Sequence, residues 1–203
     1  VLKGEENARI RKIYGNDVIR RYGFFKDDFY GIDKVIMKIA NYFNSAAMKG
    51  EESRQVLYLV GPVGAGKSSL VESLKKALEN CEPIYSLKGC PMHEEPLHLV
   101  PNHLRDEFEK NLGVQIEGDL CPICKYRLKH EYHGHYEDFP VERVNFSIRS
   151  RKGVGVVPPV DPNNQDTSIL TGSVDISKMD MYSEDDPRIF SLNGAFNVGN
   201  RGL

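Results

Sequence analysis

Apolar residues fall into short runs along this chain. The clearest is Val56-Leu57-Tyr58-Leu59-Val60, whose length and lack of alternation suit a strand covered on both faces. Upstream, Val35, Ile36, Ile39, Ala40 and Phe43 recur at helical spacing and predict a helix from about Lys34 to Ala47 with one buried face. Asp33 stands where it could cap that helix. Downstream, Leu70, Val71, Leu74, Ala77 and Leu78 form the apolar face of a helix from Lys67 to about Asn80. Pro83–Lys88 reads as a second strand, and strand, helix and strand follow the βαβ logic of a parallel sheet. A shorter helix is expected between an Asn102 cap and a Gly113 stop, with Leu104, Phe108 and Leu112 on one face. Val144, Phe146 and Ile148 alternate with polar residues and predict another strand. Glu6–Tyr14 reads as a charged lead-in or surface helix, and Gly153–Asn164 as a loop rich in Pro and Gly. Thr167–Ile176 reads as a turn into a short helix or strand, and Ser183–Arg188 as a charged loop.

Between the first strand and its helix lies Gly61-Pro62-Val63-Gly64-Ala65-Gly66-Lys67-Ser68-Ser69, with the spacing G-x-x-x-x-G-K-S from Gly61 to Ser68. Glycines let the backbone turn sharply and come close to a phosphate. Loop and helix N-terminal N–H groups then face the anion. Lys67 is placed to reach β- and γ-phosphates, and the Ser68 hydroxyl to coordinate Mg²⁺. The strand–loop–helix setting is the one this motif requires, so a nucleoside triphosphate with Mg²⁺ is the expected ligand. The aromatic turn around Tyr30 and Gly31 has two readings, one beside an adenine and one as core packing.

Composition adds bounds. With 203 residues there is room for one large domain, and 40% hydrophobic with 28% charged residues is an ordinary globular balance. A formal charge of −2 gives no ground for a general polyanion or nucleic-acid binder. No apolar run approaches the ~18 residues of a membrane span. The N-terminus lacks a signal-peptide core and an initiator Met, so a fragment of a cytoplasmic protein is expected. Four cysteines, two as C-x-x-C, do not look like a disulfide scaffold.

The middle of the chain concentrates ligand-type residues. Cys90-x-x-His93 and Cys121-x-x-Cys124 share one spacing and together offer a Cys₃His set for tetrahedral Zn²⁺. His130, His133 and His135 are alternative ligands, and packed thiols in a buried turn are the plainer reading. No helix N-terminus clearly follows Cys121, which argues against a thioredoxin-like dithiol. His103–Asn111 carries the Asp-to-Asn spacing of a kinase catalytic loop, but its His spacing is wrong and its apolar residues mark a helix. Catalytic residues are therefore not assigned. From Val56 to Leu203 no apolar strand ends in the acidic residue that would complete an Mg²⁺ site.

Several blocks together resemble one family. Phe24–Ile32, Gly61–Ser69, Gly89–Leu99, Glu117–Cys124 and Asn200–Leu203 are similar to the AAA+ domain of the PrkA family, named bacterial serine protein kinases. The resemblance covers nearly the whole chain. It implies an α/β fold: a P-loop NTPase AAA+ core, its parallel sheet flanked by helices, carrying a Cys/His-rich insertion at about 89–140. It also implies a lead-in over 1–23 and an AAA+ domain over 24–203 that stops before its Walker B acid. Gly194–Leu203 is similar to the segment that runs into that strand in MCM-type helicases, Lon-type proteases and enhancer-binding activators. The resemblance also implies ATP binding at Gly61–Ser69, and two functions follow: a nucleotide-binding domain serving a serine protein kinase, or an AAA+ motor for protein remodelling or Lon-like proteolysis. A protein substrate and a homo-oligomer of the full-length protein are the implied partners.

Overall fold

A computed structural model describes residues 4–6, 19–25, 28–48, 50–157, 166–183 and 186–203. The readings over 7–14, 158–164 and 184–185 lie outside those residues. The chain divides into two compact units, Val1–Val63 and Gly64–Leu203.

In the first unit, β1 (Gly4–Glu6) pairs antiparallel with β2 (Arg20–Tyr22), Glu5 opposite Arg21. A helix over Asp33–Ala47 packs on β2 and buries Ile36, Ile39 and Ala40, as its spacing predicts. Val35 instead faces outward. Asp33 is not the cap: it is the first helical residue, buried, with its carboxylate 3.7 Å from Arg21 Nε. Phe24, Phe25 and Phe29 meet edge to face, at centroid distances of 4.7 and 5.9 Å, and Phe25 and Phe29 join the core. The expected strand Val56–Val60 carries no ladder. Val56 is 91% exposed and Val60 80%, because an apolar run becomes a buried strand only when neighbouring strands and helices cover it. Among the described residues none pairs with it.

In the second unit, the helix Lys67–Glu79 occupies its expected span and buries Leu70. β3 (Ile84–Leu87) also stands as expected, but its partner does not make a parallel sheet. It pairs antiparallel with β4 (Val141–Val144), from Ile84 opposite Val144 to Leu87 opposite Val141. All three ladders among the described residues are antiparallel and two-stranded, the third joining β5 (Ser173–Val174) to β6 (Phe190–Ser191). The reason for the β3–β4 pairing is local: the excursion between them returns alongside β3, and Lys88 N–H donates to Pro140 O at 2.9 Å to close its base.

Within the excursion, the helix Asn102–Leu112 ends at Gly113, which holds φ +64°. Its apolar face stays open, with Phe108 37% and Leu112 57% exposed. A helix over Pro122–His130 was not foreseen, because its sequence is mostly basic and polar. Leu87, Cys90, Leu99, Cys121, Cys124 and Phe139 form a buried cluster between that helix, the turn after β3 and the approach to β4. Toward the chain end, Leu203 N–H donates to Gly153 O and Gly155 N–H to Leu203 O, both at 2.8 Å. The backbones approach so closely that a Cβ on Gly202 would stand 1.8 Å from Gly153 O.

Candidate functional site

The phosphate-loop motif spans the division between the two units, so each half is described alone. Gly61, Pro62 and Val63 are exposed at the end of the first. In the second, Gly64 (φ +83°) and Gly66 (φ +79°) take left-handed backbone that side-chain-bearing residues resist. Open space surrounds the place a Gly64 Cβ would occupy. Gly66 is the N-cap of the helix beginning at Lys67 and offers the first-turn amides no side-chain acceptor. Ala65, Ser68 and Ser69 are exposed and Lys67 half-buried. This local geometry fits an anion at the helix N-terminus. Tyr30, 77% exposed, and Gly31, at φ +77°, lie in the first unit. His103–Asn111 lies on a regular helix, in line with its reading as a helix rather than a kinase loop.

The second site is built from the insertion. The turn after β3 is closed by Leu87 N–H to Glu94 O at 3.0 Å and Cys90 N–H to Leu87 O at 3.1 Å. This places Cys90 and Glu94 on the buried cluster. Cys121 is the N-cap of the helix Pro122–His130: its sulfur accepts from Cys124 N–H at 3.3 Å. A helix N-terminus thus does follow the first cysteine of the C-x-x-C pair, contrary to expectation, because Pro122 at the first helical position starts it. Ligand atoms of Cys90, Glu94, Cys121 and Cys124 all lie within 4.8 Å of one another, and all four residues are buried. The Cys90 and Cys121 sulfurs are 3.9 Å apart.

The structure therefore brings together the three cysteines expected, but with Glu94 beside them and not His93. His93 has φ +48°, and its buried Nδ1 has no hydrogen-bond partner among the described residues. Its imidazole lines an adjoining groove of about 660 Å³ with Arg151, Lys152 and Tyr182. Burial first, then the nearby Lys152 charge, holds its pKa below the ordinary value. His130 stacks on Tyr126 at 4.3 Å, and neither it, His133 nor His135 joins the group. Nothing local in the sequence tells which side chain of His93-Glu94-Glu95 turns inward.

Around the four residues the polar contacts are specific. Glu94 Oε1 accepts from Cys121 N–H at 2.7 Å and from His98 Nδ1 at 3.2 Å. His98 Nε2 is 2.8 Å from Glu117 O. A carboxylate and a carbonyl only accept, so this pair of contacts favours the protonated imidazolium. The Glu94 hydrogen bond accordingly raises the His98 pKa, against the effect of burial. The Cys124 thiol is pushed up by the sulfurs of Cys121 and Cys90, then by burial. Three thiols at such distances cannot all ionise without a cation between them.

The PrkA AAA domain family matches the whole chain, residues 1–203. A protein named ATP-dependent protease PrkA, from Bacillus subtilis strain 168, is 44% identical over 191 residues, covering 91% of this chain and 30% of the relative. Serine/threonine kinase YeaG from Escherichia coli K12 is 36% identical over 206 residues, covering 98% of this chain and 32% of the relative. A Lon protease from Methanosphaera stadtmanae is 35% identical over 85 residues, 42% of this chain and 10% of that protein. The chain spans about a third of the length of the first two relatives. No solved structure matches it.

Proposed function

The chain belongs to the PrkA AAA domain family, and from that premise we propose that Gly61–Ser69 is the Mg·ATP site through which the full-length protein is regulated or driven. The observation that carries this is Gly66, left-handed, handing directly into a helix at Lys67 within G-x-x-x-x-G-K-S. Lys67 holds the β- and γ-phosphates, loop and first-turn N–H groups hold their oxygens, and the Ser68 hydroxyl holds Mg²⁺. Tyr30 and Gly31 form the adenine side. Bound Mg·ATP supplies the free energy of γ-phosphate cleavage. Val56–Val60 is a core strand of the AAA+ sheet, laddered within the full-length protein. Residues 24–203 belong to that core, with 1–23 leading in and about 89–140 inserted.

For the full-length protein the first role is nucleotide control of serine protein phosphorylation, supported by the kinase name of the Escherichia coli relative. A second role, an oligomeric ATP-driven motor for protein remodelling or proteolysis, is favoured by the protease name of the Bacillus relative and by the Lon matches. Calorimetry of the full-length protein tests the site. Lys67→Ala removes a charge-assisted contact of about 1.5–3 kcal/mol and weakens Mg·ATP binding roughly 10–100-fold. Equal affinity in wild type and variant refutes the assignment. Substrate phosphorylation that persists in Lys67→Ala but no longer responds to nucleotide selects the first role, and ATP-dependent degradation abolished by it selects the second.

A further inference from the structure

The geometry points to a structural Zn²⁺ centre held by Cys90, Cys121, Cys124 and Glu94, independent of the nucleotide loop. Tetrahedral zinc with Zn–S bonds of about 2.3 Å sets sulfur–sulfur edges of about 3.8 Å. Cys90 and Cys121 stand 3.9 Å apart, far beyond the ~2.05 Å of a disulfide. Glu94 divides its oxygens. Oε1 is taken by the Cys121 amide and His98, while Oε2 has only the Cys90 thiol, at 3.9 Å, among the described residues. Glu94 is 4% exposed, and a buried carboxylate with an oxygen within 4.8 Å of three sulfurs is stabilised by a shared cation.

Three thiolates and a carboxylate oxygen suit zinc by softness and geometry. Four protein ligands in a buried cluster leave no open position, which is the mark of a structural rather than a catalytic site. His98, bridging Glu94 and Glu117 O, is the positioning residue that aims Oε2 inward. The Cys121 N-cap orients its sulfur in the same way. The ion clamps the turn after β3 to the start of the helix Pro122–His130, segments 31 residues apart at Cys90 and Cys121. That supplies a centre to an insertion whose helix Asn102–Leu112 buries no residue of its own.

Full-length protein, purified without a metal-binding tag, tests this by elemental analysis and zinc K-edge absorption. The expected result is about one zinc per chain, with three sulfurs near 2.3 Å and one oxygen near 2.0 Å. Replacement by Co²⁺ gives thiolate-to-cobalt charge transfer and tetrahedral visible bands, a reading that needs no cysteine variant to fold. In competition with a chromophoric chelator, Glu94→Gln weakens zinc at least tenfold and His98→Ala about 10–100-fold. His93→Ala and Lys67→Ala leave it unchanged, which separates this centre from the nucleotide reading. Folded wild type holding less than about a tenth of an equivalent and taking up none of the added zinc overturns the proposal. So does a Cys121–Cys124 disulfide in freshly purified protein. Loss of metal in His93→Ala with retention in Glu94→Gln overturns the choice of Glu94.

Discussion

Arg127 stands one turn beyond Cys124 and grips the turn that carries Cys90. Its Nη1 donates to Lys88 O at 2.7 Å and its Nε to Glu131 at 2.9 Å. The guanidinium also lies 4.9 Å from the Phe139 ring centroid and 5.9 Å from that of Tyr132. A charged donor on a carbonyl contributes about 1.5–3 kcal/mol. Each ring contact adds about 0.5–1 kcal/mol. The Glu131 pair adds only about 0.3–0.5 kcal/mol, because it is an i,i+4 pair with its carboxylate half exposed. These contacts share one side chain and do not add fully, so Arg127→Ala should cost about 3 kcal/mol. Arg127→Lys keeps the charge but loses the planar fork, and should cost about half as much. The chain lacks Trp, and a multidomain protein does not unfold in two states. Amide hydrogen exchange on the full-length protein therefore reads the local opening energy directly. Peptides covering Ile84–Leu87 and Pro122–His130 should exchange about 100-fold faster in Arg127→Ala and about tenfold faster in Arg127→Lys. Exchange unchanged in both variants would refute the reasoning. A Glu131→Ala effect as large as that of Arg127→Ala would do the same, since it would place the energy in the exposed pair.

Four further expectations concern the loop, the chain end, an open glycine and an ion pair. Lys67→Ala should lower Mg·ATP affinity by one to two orders of magnitude by calorimetry, while amide exchange across the helix Lys67–Glu79 stays unchanged. Gly202→Ala drives a Cβ against Gly153 O and should destabilise that contact by at least about 2 kcal/mol, read as faster exchange around Gly153–Gly155. Gly23→Ala meets nothing within 4 Å among the described residues and should stay within about 0.5 kcal/mol of wild type. Asp186 is held down to about 2 by its hydrogen bonds from Arg188, Nε at 2.9 Å and Nη2 at 2.6 Å. Because its folded pKa lies below the ordinary value, its stabilisation is complete above that value and is lost as pH falls through about 2. NMR titration should show this midpoint in wild type and its return toward 3.8 in Arg188→Gln.

Features that depend on neighbours along the chain are legible in the amino-acid order itself. The helices Asp33–Ala47 and Lys67–Glu79 and the strand Ile84–Leu87 follow from local periodicity, and the phosphate-loop spacing alone places Gly66 before a helix start. The three cysteines are recognisable as a set from two matching spacings. What the sequence could not settle depends on segments far apart along the chain. Whether Ile84–Leu87 runs parallel or antiparallel depends on which strand returns beside it, and that partner is Val141–Val144. Whether Val56–Val60 is buried depends on strands that cover it, not on its own apolar character. The helix Pro122–His130 has little periodicity, and its start is fixed by Cys121 capping and by packing against Leu87 and Phe139. Glu94 rather than His93 reaches the sulfurs because the left-handed backbone at His93 and the Leu87–Glu94 hydrogen bond fix which side chain of the turn faces the cluster. Composition and spacing determined the three cysteines as candidate ligands; only the folded turn decided that Glu94, and not His93, meets them.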